Sequence, residues 1–369
     1  MPESTEGYAR LPEDLLRDLL DGADRMVAEV TRLLSPALEG RDRLRGALEA
    51  LGLVQTYAST DARSVCGVDG GYAVERTAAV DMILSVAVGV EGLSHETTHW
   101  DGAQYEWWTR VGKHDLESER LGRGVMIAQE LAVLSQAPHD VRILDGSHLT
   151  LVIQLNSALT AFSDELRGEA RRVWERLETV DALKAASTDT RILAMPKYDS
   201  SRRIADRVSQ YLDEEIPGDD KYLLGQLLQP GELIVPQRVH EHPWTRLHFS
   251  PQPGIEDMAA SLQDAIAALT DRAIMYTYFK PLEFSPAFRL EMKEGLESSV
   301  LDAVCTTLAG QITGPFVREP YPQYLADVMA KSVGLGLSAL QSAVQLALGG
   351  LGRAEIAELL IHSYRTEGV

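Results

Sequence analysis

The chain has 369 residues, 45% of them hydrophobic, and sets 35 Lys and Arg against 55 Asp and Glu for a formal net charge of −20. That length supports a large buried core, in two domains or in one elaborated domain. The acidic balance excludes a protein that coats nucleic acid through a broad basic surface, and leaves room for an enzyme that meets a polyanion locally through bound divalent ions. Cys66 and Cys305 are too few for a disulfide framework or a cysteine-based zinc site. No run reaches the roughly 18 consecutive apolar residues of a membrane helix, and the N-terminus has neither a basic nor an apolar signal region, so a cytoplasmic chain is expected.

Residues 11–52 predict two helices, with Leu15, Leu19, Met26, Val30, Leu33 and Leu34 recurring at helical spacing as a packing or assembly element. From Ser64 the segments SVCGVD, YAVERTAAV and MILSVAVGV predict a three-stranded antiparallel meander whose first hairpin turns at Asp69-Gly70-Gly71. His95, Glu96 and His99 then stand in the H-E-x-x-H spacing of zinc peptidases, with Glu117 or Glu119 as a further ligand. Such a site needs a helix, where residues i and i+4 present both imidazoles to one metal. The glycines and valines before His95, and Thr97 and Thr98 within the motif, favour a polar loop instead.

A helix follows at about 115–136, then VRIL as a buried strand ending at Asp145-Gly146, long helices over about 149–187, and the strand RILAMPK. Arg202, Arg203 and Arg207 read as surface arginines, and the acidic run 213–220 as a solvated loop. GELIVPQRV, AIMYTYFK and FRLEM predict strands, with helices from about 294 onward. There is no internal repeat and no glycine-rich phosphate loop. The order of elements predicts an α/β fold built on a mixed sheet.

Two aspartates, Asp69 and Asp145, each end an apolar run and precede glycine, so both carboxylates are expected where the chain turns. If the two strands are parallel neighbours the acids meet, and a divalent cation relieves their repulsion. Glu130 is the third candidate, because Met126, Ile127, Val133 and Leu134 at i−4, i−3, i+3 and i+4 make its helical face apolar. Singly, each Asp-Gly pair reads as an ordinary turn, and an inward helical glutamate as one member of a buried ion pair. Together they fit a two-metal phosphoryl-transfer site.

On VCGVDGGYAVERTAAVDMILSVAVGV around Asp69, GVMIAQELAVL around Glu130, RILDGSHL around Asp145, RILAMPKYDSS around Lys197 and EPYPQYLADVMAKS near the end, the chain resembles the NurA family of DNA-end-processing nucleases over about residues 60–335. The resemblance implies an RNase H-like core over 59–335 with a helical insertion at about 149–187, a helical segment at 1–58 and C-terminal helices at 336–369. It further implies Mn2+- or Mg2+-dependent cleavage of DNA, a homodimer, and partnership with a HerA-type hexameric ATPase in DNA repair or anti-phage defence. Asp69, Glu130 and Asp145 fall on the family's metal-ligand positions, Lys197 on a phosphate-contacting lysine and Tyr321 on its C-terminal tyrosine. The family's histidine eight residues after that tyrosine is Met329 here, which with Leu325, Ala326 and Val333 reads as core. Asp327, about 200° around the helix from position 329, is not expected to replace it. The alternatives are a catalytically degenerate adaptor of the ATPase and a zinc metallopeptidase using His95, Glu96 and His99.

Overall fold

The computed structural model describes residues 12–93, 100, 104–161, 163–239, 256–271, 274–317 and 319–360. His95, Glu96 and His99 lie outside the described residues. Helices run α1 Glu13–Asp21, α2 Ala23–Glu39, α3 Arg41–Ala50, α4 Ser118–Gln136, α5 His148–Leu159, α6 Asp164–Arg176, α7 Thr179–Thr188, α8 Arg203–Leu212, α9 Asp220–Leu227, α10 Glu256–Asp271, α11 Ser298–Ala309, α12 Tyr321–Lys331, α13 Val333–Gly350 and α14 Ala354–Leu359. Strands run β1 Val54–Thr56, β2 Val65–Arg76, β3 Asp81–Glu91, β4 Tyr105–Gly112, β5 Val141–Asp145, β6 Ile192–Met195, β7 Glu232–Ile234, β8 Gln237–Arg238, β9 Ile274–Lys280 and β10 Phe288–Lys293.

Two compact units form, one from Met1–Leu53 with Ser200–Leu227 and the other from Val54–Asp199 with Leu228–Val369. In the smaller unit the N-terminal segment is three helices rather than two, broken at Gly22 and Gly40. Leu15, Leu19, Met26 and Val30 stay exposed, while α3 buries Leu44, Ala47 and Leu48. The acidic run is not uniformly solvated. Asp220 is fully buried and accepts from the Ile204 and Ala205 amides at 2.9 Å and from Ser201 Oγ at 2.8 Å. A carboxylate there satisfies the free amides at the start of α8 and complements its dipole.

In the larger unit the sheet order is β1-β7-β9-β10-β6-β5-β2-β3-β4, with β8 beside β9. β5 lies parallel between β2 and β6, and the other pairings are antiparallel. The segment β4-β3-β2-β5-β6, with α4 between β4 and β5 in the chain, is the mixed RNase H-like arrangement expected. Both faces are covered, so VRIL is buried throughout, Arg142 included: Ile143 joins one core with Leu193, Phe279, Leu290 and α11, and Leu144 joins the other with Val68, α4 and the helices packed on it.

The meander differs from expectation in its register. Asp69-Gly70-Gly71 is not a turn, since β2 runs unbroken through it and pairs residue by residue with β3. The reversal comes at 77–80, where the Thr77 amide and hydroxyl both donate to the Val80 carbonyl, and the third strand is Tyr105–Gly112. The stretch Tyr321–Gly350 is long and apolar enough to span a bilayer by length and composition. Within it, however, α12 packs against β2 and β3, and Val333 and Leu337 of α13 pack with Met82 and Leu84.

Candidate metal centre

Asp69 and Asp145 meet because β2 and β5 are parallel neighbours in register, with Val68 beside Leu144. The two Asp-Gly pairs do different work. Gly146 takes a φ of 90° and turns the chain out of β5. Gly70 lies within β2, where its missing side chain makes room: a Cβ there would land on the Glu130 carboxylate and on Met126. Asp69 therefore sits inside a strand rather than at its end, and its Oδ1 accepts from the Gly70 amide at 2.8 Å.

Lys197, just past β6, places its ammonium among these groups. Its Nζ stands 3.0 Å from Asp145 Oδ2, 3.3 Å from Asp69 Oδ2, 2.5 Å from Asp327 Oδ1 and 3.7 Å from Glu319 Oε2. Lys331 Nζ reaches Asp327 Oδ2 at 2.6 Å. Gln323 Nε2 donates to Asp145 Oδ1 at 2.7 Å and to the Met195 carbonyl at 3.0 Å, fixing the carboxylate's rotation. Glu130 comes from the buried face of α4 and is 3% exposed.

The electrostatics are those of crowded carboxylates. Burial, reinforced by Asp145, pushes Asp69 up to about 7 against the pull of Lys197. Burial, then Asp69 and Asp145, raise Glu130 well above the ordinary carboxyl value, and burial also raises Glu319. Burial opposes the Lys197 ammonium, yet Asp145, Asp327 and Asp69 outweigh it and hold its pKa above that of a free lysine. Burial would raise Asp327 too, but hydrogen bonds from Lys197 and Lys331 hold it below its usual value.

Asp69, Asp145 and Asp327 each offer an oxygen within 4.8 Å of the others, a set that can hold a metal ion. The donors are all hard carboxylate oxygens, suited to Mn2+ or Mg2+ rather than to a thiolate-seeking metal, and the lysine ammonium among them shows that the pocket accommodates a cation. Of the sequence candidates, Asp69, Glu130, Asp145 and Lys197 come together here. Tyr321 begins α12, where its backbone amide donates to Gln311 O at 2.9 Å. Among the described residues its phenol makes no hydrogen bond to the cluster.

Position 329 requires a correction. Met329 is 48% exposed and not core, whereas Asp327 projects into the site. Gln323, Ala326, Asp327 and Ala330 form the inward face of α12, so the same 200° that separates Asp327 from residue 329 turns Met329 outward. Glu319 and Gln323 carry no sequence signal, and Asp327, set aside above as a replacement for the histidine, joins the cluster; its i+4 relation to Gln323 is the signal, on a helix whose phase the sequence leaves open.

Asp69 within β2 and Asp145 at the end of its parallel neighbour β5, with Asp327 of α12, form a carboxylate cluster on a mixed sheet of the RNase H-like kind. Residues 63–328 match the NurA domain family. The fold is similar to the crystal structure of the NurA nuclease from Sulfolobus solfataricus, with 11% identity, 91% of this chain and 98% of that one covered, and a TM-score of 0.57. It is also similar to a crystal structure of NurA with manganese, at 12% identity, 89% and 98% coverage and a TM-score of 0.50. Another NurA crystal structure gives 12% identity, 90% and 99% coverage and a TM-score of 0.51. No curated protein matches by sequence. This chain belongs to the NurA family.

Proposed function

We propose that the chain is a divalent-metal-dependent deoxyribonuclease, cutting phosphodiesters at DNA ends by exo- or endonucleolytic hydrolysis. The observation that carries this reading is the Lys197 ammonium enclosed by Asp69, Asp145 and Asp327, a cation site built of oxygen donors. Asp69, Asp145 and Asp327 would hold one Mn2+ or Mg2+ ion, and Glu130 is the carboxylate reserved for a second. Metal ions held there would supply Lewis-acid stabilisation of the phosphoryl oxygens and activation of a water nucleophile. Gln323 keeps Asp145 in its ligating rotamer, and Lys197 steadies the scissile or adjacent phosphate.

A chain of net charge −20 brings little positive field of its own to DNA, which favours operation within an assembly. We place it as a homodimer fed by a HerA-type hexameric ATPase, in DNA repair or defence against phage. Exposed Leu15, Leu16, Leu19 and Leu20 on α1, and Leu335 and Leu346 on α13, provide apolar surface for such contacts. The test is degradation of linear DNA with Mn2+, by the chain alone and with the ATPase. Asp145→Asn is expected to reduce the rate at least a hundredfold in both settings. Activity in the variant equal to wild type sinks the assignment, and wild-type inactivity in both settings points to a non-cutting adaptor.

A further inference from the structure

Strand β10 reads FRLEMK, and its alternation is unusual for an interior strand. Phe288, Leu290 and Met292 enter one core, which leaves Arg289, Glu291 and Lys293 on the opposite face, where Glu291 is 2% and Lys293 3% exposed. Charges in such a place are costly to desolvate, and an apolar pair of the same volume would serve the fold as well or better. What this pair does that leucine and methionine could not is bind two loops at once.

Glu291 Oε2 accepts from Ser147 Oγ at 2.8 Å and from the His148 amide at 3.2 Å, two and three residues beyond Asp145. Its Oε1 meets Arg289 Nη2 at 2.8 Å. Arg289 Nη1 meets Asp199 Oδ1 at 2.9 Å, two residues beyond Lys197. Tyr278, opposite Arg289 on β9, donates its hydroxyl to Asp199 Oδ2, and the guanidinium lies 4.8 Å from the centre of the Tyr276 ring. One continuous chain of charge-assisted hydrogen bonds thus ties the loop after Asp145 to the loop after Lys197. Backbone pairing in β5 and β6 stops at Asp145 and Met195, so beyond those residues this hydrogen-bond network holds the two loops together, beside the Lys197–Asp145 ion pair and the Gln323 bridge from Asp145 to the Met195 carbonyl.

We propose that Arg289 and Glu291 are positioning residues, which hold the carboxylate of Asp145 and the ammonium of Lys197 in register without touching metal or DNA. The proposal rests on the metal-dependent reading of the site. The test is the double variant Arg289→Met/Glu291→Leu, which removes both charges of the pair and leaves Asp199 with the Tyr278 hydroxyl as donor, together with the milder Tyr278→Phe. Mn2+ affinity is read by titration calorimetry, and kcat and KM on linear DNA separately.

The expected result for the double variant is Mn2+ affinity at least tenfold weaker and kcat at least tenfold lower, with KM for DNA within twofold and a cooperative unfolding transition retained without metal. Tyr278→Phe should show the same pattern at two- to fivefold. Glu291→Gln, which keeps an acceptor for Ser147 and His148, should return Mn2+ affinity to within threefold of wild type. A folded double variant with wild-type Mn2+ affinity and kcat overturns the proposal. Should the double variant fail to fold, unchanged affinity and kcat in Tyr278→Phe overturn it equally. Failure of the wild-type chain to bind Mn2+ is a different outcome, which removes the metal-dependent reading and this proposal with it.

Discussion

An Asp69→Asn chain keeps the shape of the side chain and loses its charge, which separates what Asp69 offers a metal from what it costs the fold. Burial and Asp145 raise its pKa from 3.8 to about 7. Because the folded value lies above the unfolded one, the folded chain holds this proton more tightly. The resulting stability is full below about 3.8, falls as pH rises and is gone above about 7. At pH 8 the ionised Asp69 therefore destabilises the metal-free fold by about 4 kcal/mol, a ceiling because its proton is shared with the neighbouring carboxyls. Followed by circular dichroism in chelator at pH 8, Asp69→Asn should melt higher than wild type by on the order of 5 °C, and the gap should narrow at pH 5. Added Mn2+ should raise the wild-type melting temperature, because it binds only the folded chain, and leave the variant unmoved. A variant that melts at or below wild type at pH 8 and still gains stability from Mn2+ refutes the reasoning.

Mn2+ affinity measured by calorimetry should weaken about tenfold per pH unit below about 7, where Asp69 takes up its proton, and a flat profile from pH 5 to 8 contradicts the assignment. Asp327→Asn should lose at least tenfold in Mn2+ affinity, while Met329→His should change it less than twofold because that side chain faces outward. Gly70→Ala drives a methyl group into the Glu130 carboxylate and should abolish Mn2+-dependent DNA cleavage; wild-type cleavage in this variant removes Glu130 from the site. Trp174, buried and donating to the Gly124 carbonyl at 3.1 Å, should cost about 3–5 kcal/mol as Trp174→Ala in urea unfolding, with Mn2+ binding retained at low temperature.

Local patterning determined a good deal by itself. Apolar neighbours at helical spacing around Glu130 placed its carboxylate inward, and the run VRIL fixed a strand buried on both faces, because both are properties of a few consecutive residues. The two Asp-Gly pairs mark where that legibility ends. Their dipeptides are identical, yet one turns the chain and the other lies inside a strand beside Glu130, a distinction set by what packs against each glycine. Asp327 was read on the wrong side of α12 because spacing gives the angle between two residues but not which of them faces the sheet. The link from Glu291 through Arg289 to Asp199 joins residues up to 92 positions apart. The sequence thus determined that Asp69, Glu130, Asp145 and Lys197 were candidates and which elements carry them, but not that Asp327, Glu319 and Gln323 join them. Which carboxylates cluster was decided only when parallel pairing of β2 with β5 and the docking of α12 brought them within reach, because electrostatic coupling depends on distance in space rather than along the chain.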